Sequence, residues 1–514
     1  MSEERELPNG WVWTTLGTAA TINPRPNLQA LPDDTVVSFV PMAAVEAGSG
    51  CLDPSEQRPL AAVRRGYTSF LEGDVVFAKI TPCMENGKTA VARGLVGGIG
   101  LGSTEFHVLR PHDGVDAQFL YYYVSQEQFR QTARMHMTGT AGQLRVPTSF
   151  MAEAPFPLPS PPEQRRIVAA IEEQFTRLDA GVAALKSARA RLKQYRAAVL
   201  KAAVEGELTK AWREAHPDTE PASELLARIL AERRARWEGE QRAKDKDPAK
   251  GRYQEPVTTI IATAALSPRT WCIATVEQVS QIVRYGSSAK TSEDATGIAV
   301  LRMGNIQLGA LDLTNLKYLP VNHTEFPDLL LAPGDLLFNR TNSPELVGKS
   351  AVYRGTPYPC SYASYLINVR LVEGCSPEYL AFFLNSSHGR EWIASVVVQQ
   401  VGQANVNGTK LQALAFALPP ELEQLQIVEE VERRLSVLSA LEKTVTAGLQ
   451  RAERLRQSIL TEAFSGRLVP QNERDEPASA LLKRIQVGLT VLSTARQQKK
   501  AAAKPAQLPL PAND

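Results

Sequence analysis

The chain contains few cysteines and histidines for its length. Among 514 residues there are five cysteines, which are scattered along the chain, and six histidines, which are isolated from one another. No Cys-x-x-Cys pair occurs, and no histidine lies at metal-ligand spacing from a cysteine. We therefore expect neither structural zinc nor a disulfide framework, and the scattered thiols are typical of a reduced, cytosolic protein.

Long apolar runs are also missing. No stretch approaches the roughly 18 to 20 apolar residues that a membrane span requires, and the opening MSEERELPNG has no apolar core of a signal peptide. We therefore expect a cytoplasmic location. The composition, 43% hydrophobic and 22% charged, is that of a folded globular protein, and a chain of this length should hold about three or four folding units.

Positive charge is present in only slight excess. The 57 Lys and Arg residues stand against 55 Asp and Glu residues, which gives a formal net charge of +2. This is a weak signal for a protein that binds DNA by itself. DNA binding would require a local basic surface, or a partner subunit that contributes phosphate contacts.

Catalytic motifs are absent as well. The sequences NGKT and VGKS end like a phosphate-binding loop, but Pro82 and Ser343 stand where a Walker A motif needs its first glycine. There is no N-P-P-[YF] methyltransferase signature and no G-x-S-x-G motif. We expect no catalytic residues, no metal site and no cofactor bound by this chain.

What the sequence does contain is an internal repeat. Trp11 follows the opening LPNG, and Trp271 follows SPRT 260 residues later. The same offset relates the Glu-Gln pair of PPEQRRIVAAI to that of PELEQLQIVEEV, and relates Gly206 to Gly466. The segment EPASELLARI returns as EPASALLKRI with an offset of 256. The pattern predicts two copies of one unit, each a globular domain followed by long helices.

The globular parts share a frame but differ in content. FLEGDVVFAKITPCMENGKTAV corresponds to LAPGDLLFNRTNSPELVGKSAVY, which aligns the Gly-Asp pair at 73–74 with the pair at 334–335. Elsewhere the two copies diverge widely. This pattern indicates one scaffold that carries two different binding surfaces.

Each copy also contains a long amphipathic helix. From Ile167 to Val199 apolar residues recur mostly at spacings of three and four, and the stripe from Ile427 to Ile459 repeats this pattern. The first helix should run from about 163 to 204, which is on the order of 60 Å. Each stripe could pack on its own globular domain, but a helix this long would overhang a domain of about 150 residues. We therefore expect the two helices to pair as an antiparallel coiled coil, with the two copies related by a pseudo-two-fold rotation. The fold class is α+β, with two tandem mixed α/β domains.

These motifs resemble the specificity subunit of type I restriction-modification enzymes. The likeness covers nearly the whole chain. It depends on the L-P-x-G-W opening, the G-D-[VL]-[VL]-F strands, the P-P-x-E-Q type of helix start, which reads PPEQ and PPELEQ here, and the helix ends AVLKAAVEGELT and SILTEAFSGRLV. Each short motif is weak alone, but their order and duplicated layout make the match specific.

The resemblance implies a non-catalytic subunit with two target-recognition domains, each recognising one half of an asymmetric, two-part DNA site. The long helices would set the gap between the halves and dock two modification subunits. By the same resemblance, S-adenosylmethionine, ATP and Mg²⁺ act on the partner modification and restriction subunits. The expected segments are a first recognition domain at 8–158, a central long helix at 159–212, a charged linker with a helix at 213–267, a second recognition domain at 268–418, a distal long helix at 419–470, and a C-terminal helix with a disordered tail at 471–514.

Base recognition needs polar and basic side chains on loops that can reach a DNA groove. Two places in each copy qualify: the loop after the Gly-Asp strand, and a glycine-containing turn before the last strand. The candidates are Lys79, Thr81, Asn86, Lys88, Thr138, Thr140, Gln143 and Arg145 in the first copy, and Arg340, Asn342, Ser343, Lys349, Gln403, Asn405, Asn407 and Lys410 in the second.

Turn chemistry alone could also account for many of these residues, because Asn, Ser and Gly are favoured in turns for backbone reasons. Arg302 and Asn305, beside a predicted strand, are expected to bond the backbone and not DNA. The alternative function is an architectural coiled-coil protein whose globular ends bind other proteins.

Overall fold

The computed structural model describes residues 6–140, 142–258, 268–343, 346–400 and 403–502. The strands are, in chain order, β1 (Val12–Thr15), β2 (Ala20–Ile22), β3 (Val36–Val40), β4 (Gln57–Pro59), β5 (Thr68–Leu71), β6 (Val75–Ala78), β7 (Thr89–Val91), β8 (Ile99–Gly102), β9 (Phe106–Pro111), β10 (Pro155–Leu158), β11 (Cys272–Thr275), β12 (Ser280–Tyr285), β13 (Ile298–Leu301), β14 (Ile306–Gln307), β15 (Ala310–Leu311), β16 (Lys317–Leu319), β17 (Leu336–Asn339), β18 (Thr341–Asn342), β19 (Ser350–Val352), β20 (Cys360–Tyr362), β21 (Leu366–Leu371), β22 (Val398–Gln400), β23 (Gln403–Asn405) and β24 (Ala415–Leu418). The helices are α1 (Leu16–Ala19), α2 (Leu60–Val63), α3 (Ala117–Val124), α4 (Glu127–Met135), α5 (Thr148–Glu153), α6 (Pro161–Val204), α7 (Lys210–Ala215), α8 (Ala222–Ala243), α9 (Val276–Val279), α10 (Pro377–Asn385), α11 (Ser387–Val396), α12 (Gly408–Gln412), α13 (Glu421–Phe464) and α14 (Ala478–Ala502).

The chain forms two compact units, residues 1–185 with 447–514, and residues 186–446. Each unit holds one globular part together with segments of both long helices. This mixed helix and strand architecture confirms the predicted fold class, and the equivalent elements in the two units confirm the internal duplication.

The first unit contains sheets in the order β2-β9-β6-β7 and β4-β3-β8-β5, and an antiparallel pair β1-β10. Its core joins the globular part to the helices: Trp11, Phe119, Ile171, Leu460 and Leu481 are all buried in one cluster. The start of α6, the end of α13 and the start of α14 therefore complete this hydrophobic core.

The second unit repeats this plan with sheets β12-β21-β17-β19 and β16-β13-β20, and the pair β11-β24. Both units contain a parallel strand pair within the second sheet, β3 with β8 and β13 with β20. The buried cluster again combines the globular part with helices, through Trp271, Tyr379, Val431, Leu200 and Leu225. Val431, Leu200 and Leu225 come from α13, the end of α6 and α8, which are the counterparts of the helices in the first unit.

The repeated tryptophan and Glu-Gln motifs connect each globular part to its long helix. The indole Nε1 of Trp11 donates to Glu163 at 2.8 Å, and that of Trp271 donates to Glu423 at 2.8 Å. Burial raises the pKa of Glu163. The next residue, Gln164, accepts from the backbone of Asp116 and donates to two carbonyl oxygens, and its repeat counterpart Gln424 makes the same three kinds of bond. These motifs are repeated because both helices are attached in the same way.

The Gly-Asp motif has a second structural task. The buried carboxylate of Asp74 accepts a bidentate bond from Arg110 on the neighbouring strand, and Asp335 does the same with Arg370. A buried carboxylate requires such pairing, because removing its charge from water is otherwise costly. The motif therefore locks β6 to β9 and β17 to β21.

Helix α6 begins two residues before the predicted start and ends at Val204 as expected, and at 44 residues it is about 66 Å long. In the first unit its Asp179 forms an ion pair with Arg456 of α13, and Leu185 lies against Gly448. In the second unit Arg196 pairs with Glu442 at 3.1 Å. As residue numbers rise on one helix they fall on the other, so the predicted antiparallel pairing is confirmed. The first turns of α6 and α13 also pack into the globular cores. The apolar stripe of each helix therefore packs on a globular domain along one part of its length and on the other helix along another part.

The segment 471–514 was expected to hold a C-terminal helix and a disordered tail, and its helix, α14, continues to Ala502. Ala, Lys, Arg and Gln are strong helix formers, and a helix already started at Ala478 can extend through them. Residues 503–514, and residues 259–267 of the linker, lie outside the described part of the chain. Across the described ranges, none of the helices combines the length and apolar character that crossing a membrane requires.

Candidate nucleic-acid interface

In the first globular part, the loop after β6 lies beside the glycine-containing turn. Backbone bridges join Ile80 to Arg145 and Arg145 to Thr138, and the amide of Thr81 donates to the carbonyl of Leu144 at 3.0 Å. The two predicted clusters of this copy therefore form one small surface.

The second globular part repeats this arrangement. Strand β18 pairs with β23, and β23 pairs with β22. The amide of Val406 donates to the carbonyl of Arg340 at 2.9 Å, just as the amide of Val146 donates to that of Lys79 at 2.8 Å. The structure thus brings together both predicted clusters in each copy, at equivalent places on the shared frame.

Some candidate side chains are engaged within the protein. The ammonium of Lys88 donates to the carbonyls of Met42 and Val45, each at 2.9 Å. This lysine, which resembled the Walker A lysine in sequence, therefore ties its loop to an earlier segment. The ammonium of Lys410 similarly donates to the carbonyl of Val396.

Arg145 is paired with a residue that the sequence did not single out. Its guanidinium donates through Nε and Nη2 to the carboxylate of Glu105, at 2.9 and 2.8 Å, and through Nη1 to the carbonyl of Gln143. The bond from Arg145 holds the pKa of Glu105 below its ordinary value. This bidentate pair fixes the turn.

Two further candidates have structural surroundings. The Oγ1 of Thr81 is buried, with no hydrogen-bond partner among the described residues. Asn407 is exposed, and its side chain accepts from the amide of Lys410 and caps α12. The side chain of Gln403 lies outside the described part, although its backbone belongs to β23.

The remaining candidates of the first copy are available at the surface. Asn86, Thr138, Thr140 and Gln143 are exposed, and Lys79 is half-buried. Behind them lies the buried His107, whose Nε2 is 2.8 Å from the carbonyl of Val146. Burial lowers the pKa of His107, which favours a neutral ring behind the turn.

The second copy presents an arginine in a different setting. The guanidinium carbon of Arg340 lies 4.7 Å from the ring centroid of Tyr285, and the group makes only long bonds, 3.5 Å to Asn405 and 3.4 Å to the carbonyl of Ser364. Its Nε is buried, with no partner in the described ranges. Arg340 is thus oriented by stacking while its hydrogen-bonding capacity is largely unused.

Three other candidates of this copy, Asn342, Ser343 and Lys349, are half-buried. The Nδ2 of Asn342 lies 3.6 Å from the sulfur of Met303. Arg302 and Asn305 make backbone bonds, as expected. Asn305 accepts from the Arg302 amide and donates to Asp312, and Arg302 donates to the carbonyl of Asn315.

Glu105 and Tyr285 are the residues that the sequence analysis missed. Neither belongs to a repeated motif, and each lies far in the chain from the arginine it contacts, so no local pattern pointed to them. Within the described residues, no cluster of His, Cys, Asp and Glu is arranged to hold a metal ion.

Comparison with known proteins supports the resemblance drawn from the motifs. No protein-family model matches the chain. The chain is 28% identical over 510 residues to the type I restriction enzyme EcoEI specificity subunit of Escherichia coli, which covers 90% of this chain and 83% of that relative. It is 26% identical over 514 residues to the EcoAI specificity subunit of Escherichia coli, which covers 90% of this chain and 85% of that relative.

The same fold occurs in a chain from a solved structure that describes complex assembly and conformational transition of the type I R-M system. It superposes with a TM-score of 0.60 at 19% identity, covering 90% of this chain and 99% of that one. The resemblance to type I specificity subunits is thereby confirmed over nearly the whole length of the chain.

Proposed function

We infer that the chain is the specificity subunit of a type I restriction-modification complex and is itself non-catalytic. Its ordered motifs, its internal duplication, its paired long helices and its relatives all support this function. We propose double-stranded DNA, two modification subunits and the restriction subunits as its partners, and the cytoplasm as its location.

We propose that each globular domain recognises one half of an asymmetric two-part DNA site. One observation carries this proposal: the same small surface is built twice on the same frame, with different side chains in the two copies. A duplicated frame without the differing loops would recognise a symmetric site. The unlike side chains at Lys79 and Arg340, or at Arg145 and Asn405, fit two different half-sites.

The side chains whose polar groups are least committed within the protein are the best candidates for DNA contact. They are Lys79, Asn86, Thr138, Thr140 and Gln143 in the first domain, and Arg340, Asn342, Ser343, Lys349 and Asn405 in the second. We assign Lys88, Arg145 and Lys410 chiefly to holding the loops, because their cationic groups are bonded internally. Thr81, Gln403 and Asn407 remain candidates for DNA contact because they lie on the same loops.

We propose that the helix pair sets the gap between the two half-sites and docks the modification subunits. A rigid antiparallel pair fixes a distance because its length is determined by the number of residues. S-adenosylmethionine, ATP and Mg²⁺ are then required by the partner subunits, and this chain supplies only sequence recognition.

Mapping of methylated adenines tests the function directly. The chain is co-expressed with its modification subunits in a host that lacks other adenine methyltransferases, and modified adenines are mapped across the genome. We expect one two-part motif with a constant gap. The modification subunits without this chain serve as the control and should give no such motif.

A complex that assembles but methylates no two-part motif would contradict the proposal. If the chain instead bound other proteins through its globular parts and had no effect on methylation, the architectural alternative would be correct.

A further inference from the structure

One segment of α6 carries charge of a single sign. Between Lys186 and Val204 there are six Lys and Arg residues and no Asp or Glu. The equivalent segment of the second copy, Thr446 to Phe464, has three basic and two acidic residues. The excess of positive charge is therefore a property of one copy, so the shared frame does not require it.

Three of these cations lie on one face of the helix. Lys186, Arg189 and Lys193 are spaced by three and four residues, which places them in one row. All three are exposed, and none has an ion-pair partner among the described residues. We name this row the basic stripe. It is separate from the apolar seam formed by Leu185, Leu192 and Val199.

The neighbouring Arg196 shows what a structural cation looks like in the same segment. It pairs with Glu442 and bonds Ser439 on α13, and its side chain is only 13% exposed. Its repeat counterpart Arg456 likewise has partners, Asp179 and the ring of Phe175. The basic stripe has neither partners nor counterparts: Thr446, Leu449 and Glu453 stand at the equivalent positions. Like charges at this spacing destabilise an isolated helix, so helix stability does not explain the stripe.

The surroundings of the stripe indicate the kind of partner. Ala190 and Ala197, which continue the same face, and Gln194 beside them are exposed and uncharged. The large exposed aromatic of this segment, Tyr195, follows Lys193 by two residues and so lies on another face. Protein interfaces centre on buried aromatic and apolar residues with few charges, whereas phosphate contacts are made by exposed Lys and Arg.

We propose that the basic stripe binds the phosphate backbone of duplex DNA without reading its bases. This inference rests on the proposed function. The stripe is the kind of local positive surface that DNA binding requires in a chain whose net charge is only +2. Phosphate contacts would then be made by the helix pair as well as by the recognition loops.

Salt dependence of DNA binding tests this proposal. The complex of the chain with its modification subunits is titrated with a duplex that carries the mapped two-part motif, at several salt concentrations. We compare the wild type with the triple variant Lys186→Gln, Arg189→Gln and Lys193→Gln. Loss of three phosphate contacts should reduce the slope of log affinity against log salt by about 2.7. The affinity ratio of wild type to variant should then be about 40-fold larger at about 50 mM salt than at about 200 mM.

A charge-conserving triple variant, Lys186→Arg, Arg189→Lys and Lys193→Arg, is the matched control and should keep the wild-type slope. The methylation motif should be unchanged in both variants. An unchanged slope in the glutamine variant, with the motif intact, would overturn the stripe proposal alone. Failure of that variant to co-purify with the modification subunits would also overturn it, because the stripe would then be a protein interface. A wild-type complex without any two-part motif would remove the proposed function and, with it, this inference.

Discussion

Arg145 and Arg340 both belong to the predicted recognition clusters, but their surroundings give them different roles. Arg145 is saturated by the carboxylate of Glu105, so its charge is compensated within the domain. Arg340 faces an aromatic ring and makes only long bonds to neutral oxygens. A guanidinium with free donors in a fixed plane is suited to bidentate contact with guanine.

We expect Arg340→Gln to change the recognised sequence in one half-site only. Loss of a bidentate contact should reduce discrimination at one base pair by about 1–3 kcal/mol, because the variant can no longer bond both guanine acceptors. Adenine mapping with the variant complex would detect relaxation at one position of the motif. Arg354→Gln is a matched control, since Arg354 is an exposed arginine paired with Glu432. A motif that stays identical in the Arg340 variant would show that this side chain does not read a base.

The sequence could predict which loops carry these polar residues, but not which of their side chains are already bonded within the protein. The loops after the Gly-Asp strands were recognisable because turn residues and polar groups follow a buried strand. The partners of Lys88 at Met42 and Val45, and the partner of Arg145 at Glu105, are about 40 residues distant and follow no pattern. Only the folded chain shows which donors are already bonded.

At the scale of elements, periodicity was informative and composition was not. The apolar stripe from Ile167 to Val199 predicted α6 within two residues, because helix packing depends on a regular spacing that the sequence displays. The sequence did not predict where α14 ends, because Ala-, Lys- and Gln-rich segments occur both in helices and in disordered tails. Gly206 and Gly466, which the repeat relates to each other, lie two residues after the ends of α6 and α13, and both have positive φ, +76° and +69°.

These two glycines also fit close contacts, and this yields a prediction. A Cβ at Gly466 would lie 2.0 Å from Cγ of Pro8, and one at Gly206 would lie 2.7 Å from Cγ of Pro268. We expect either glycine-to-alanine change to destabilise the chain by at least about 1 kcal/mol, because strained φ and steric overlap add. Gly181→Ala is the matched control within α6. Nothing lies within 4 Å of its Cβ position, so it should stabilise the chain by about 0.5–1 kcal/mol. Thermal unfolding would measure the change in stability of each variant. Equal changes at Gly181 and Gly466 would show that Gly466 is not required at the end of α13.

For the whole molecule, the duplication explains why the chain can hold two unlike surfaces on one plan. The residues that had to stay the same are those that attach helix to domain: Trp11 and Trp271, with their partners Glu163 and Glu423. The loop residues that were free to change are those at the candidate interface. Specificity can therefore change in one domain without disturbing the helix pair, and helix length can change without disturbing either surface.

This independence leads to the last prediction. Seven residues inserted after Leu185 in α6, together with seven after Thr446 in α13, should keep the apolar seams in phase, because a heptad repeats the helix face. The insertion lengthens the pair by about 10 Å, so the gap between half-sites should widen by up to about three base pairs of 3.4 Å rise. Both half-site sequences should remain the same. Adenine mapping with the modification subunits present measures the gap and the half-sites in one experiment.

Insertion into α6 alone is the control. It shifts Lys186 to Val204 relative to α13 and breaks the facing contacts, including Arg196 with Glu442, so methylation should be lost and no new gap should appear. A double insertion that methylates with the original gap would show that the helix pair does not measure distance. The double insertion changes the helices and leaves the sequence of both domains intact. If it altered the half-sites themselves, the recognition surfaces of the domains would depend on the helices.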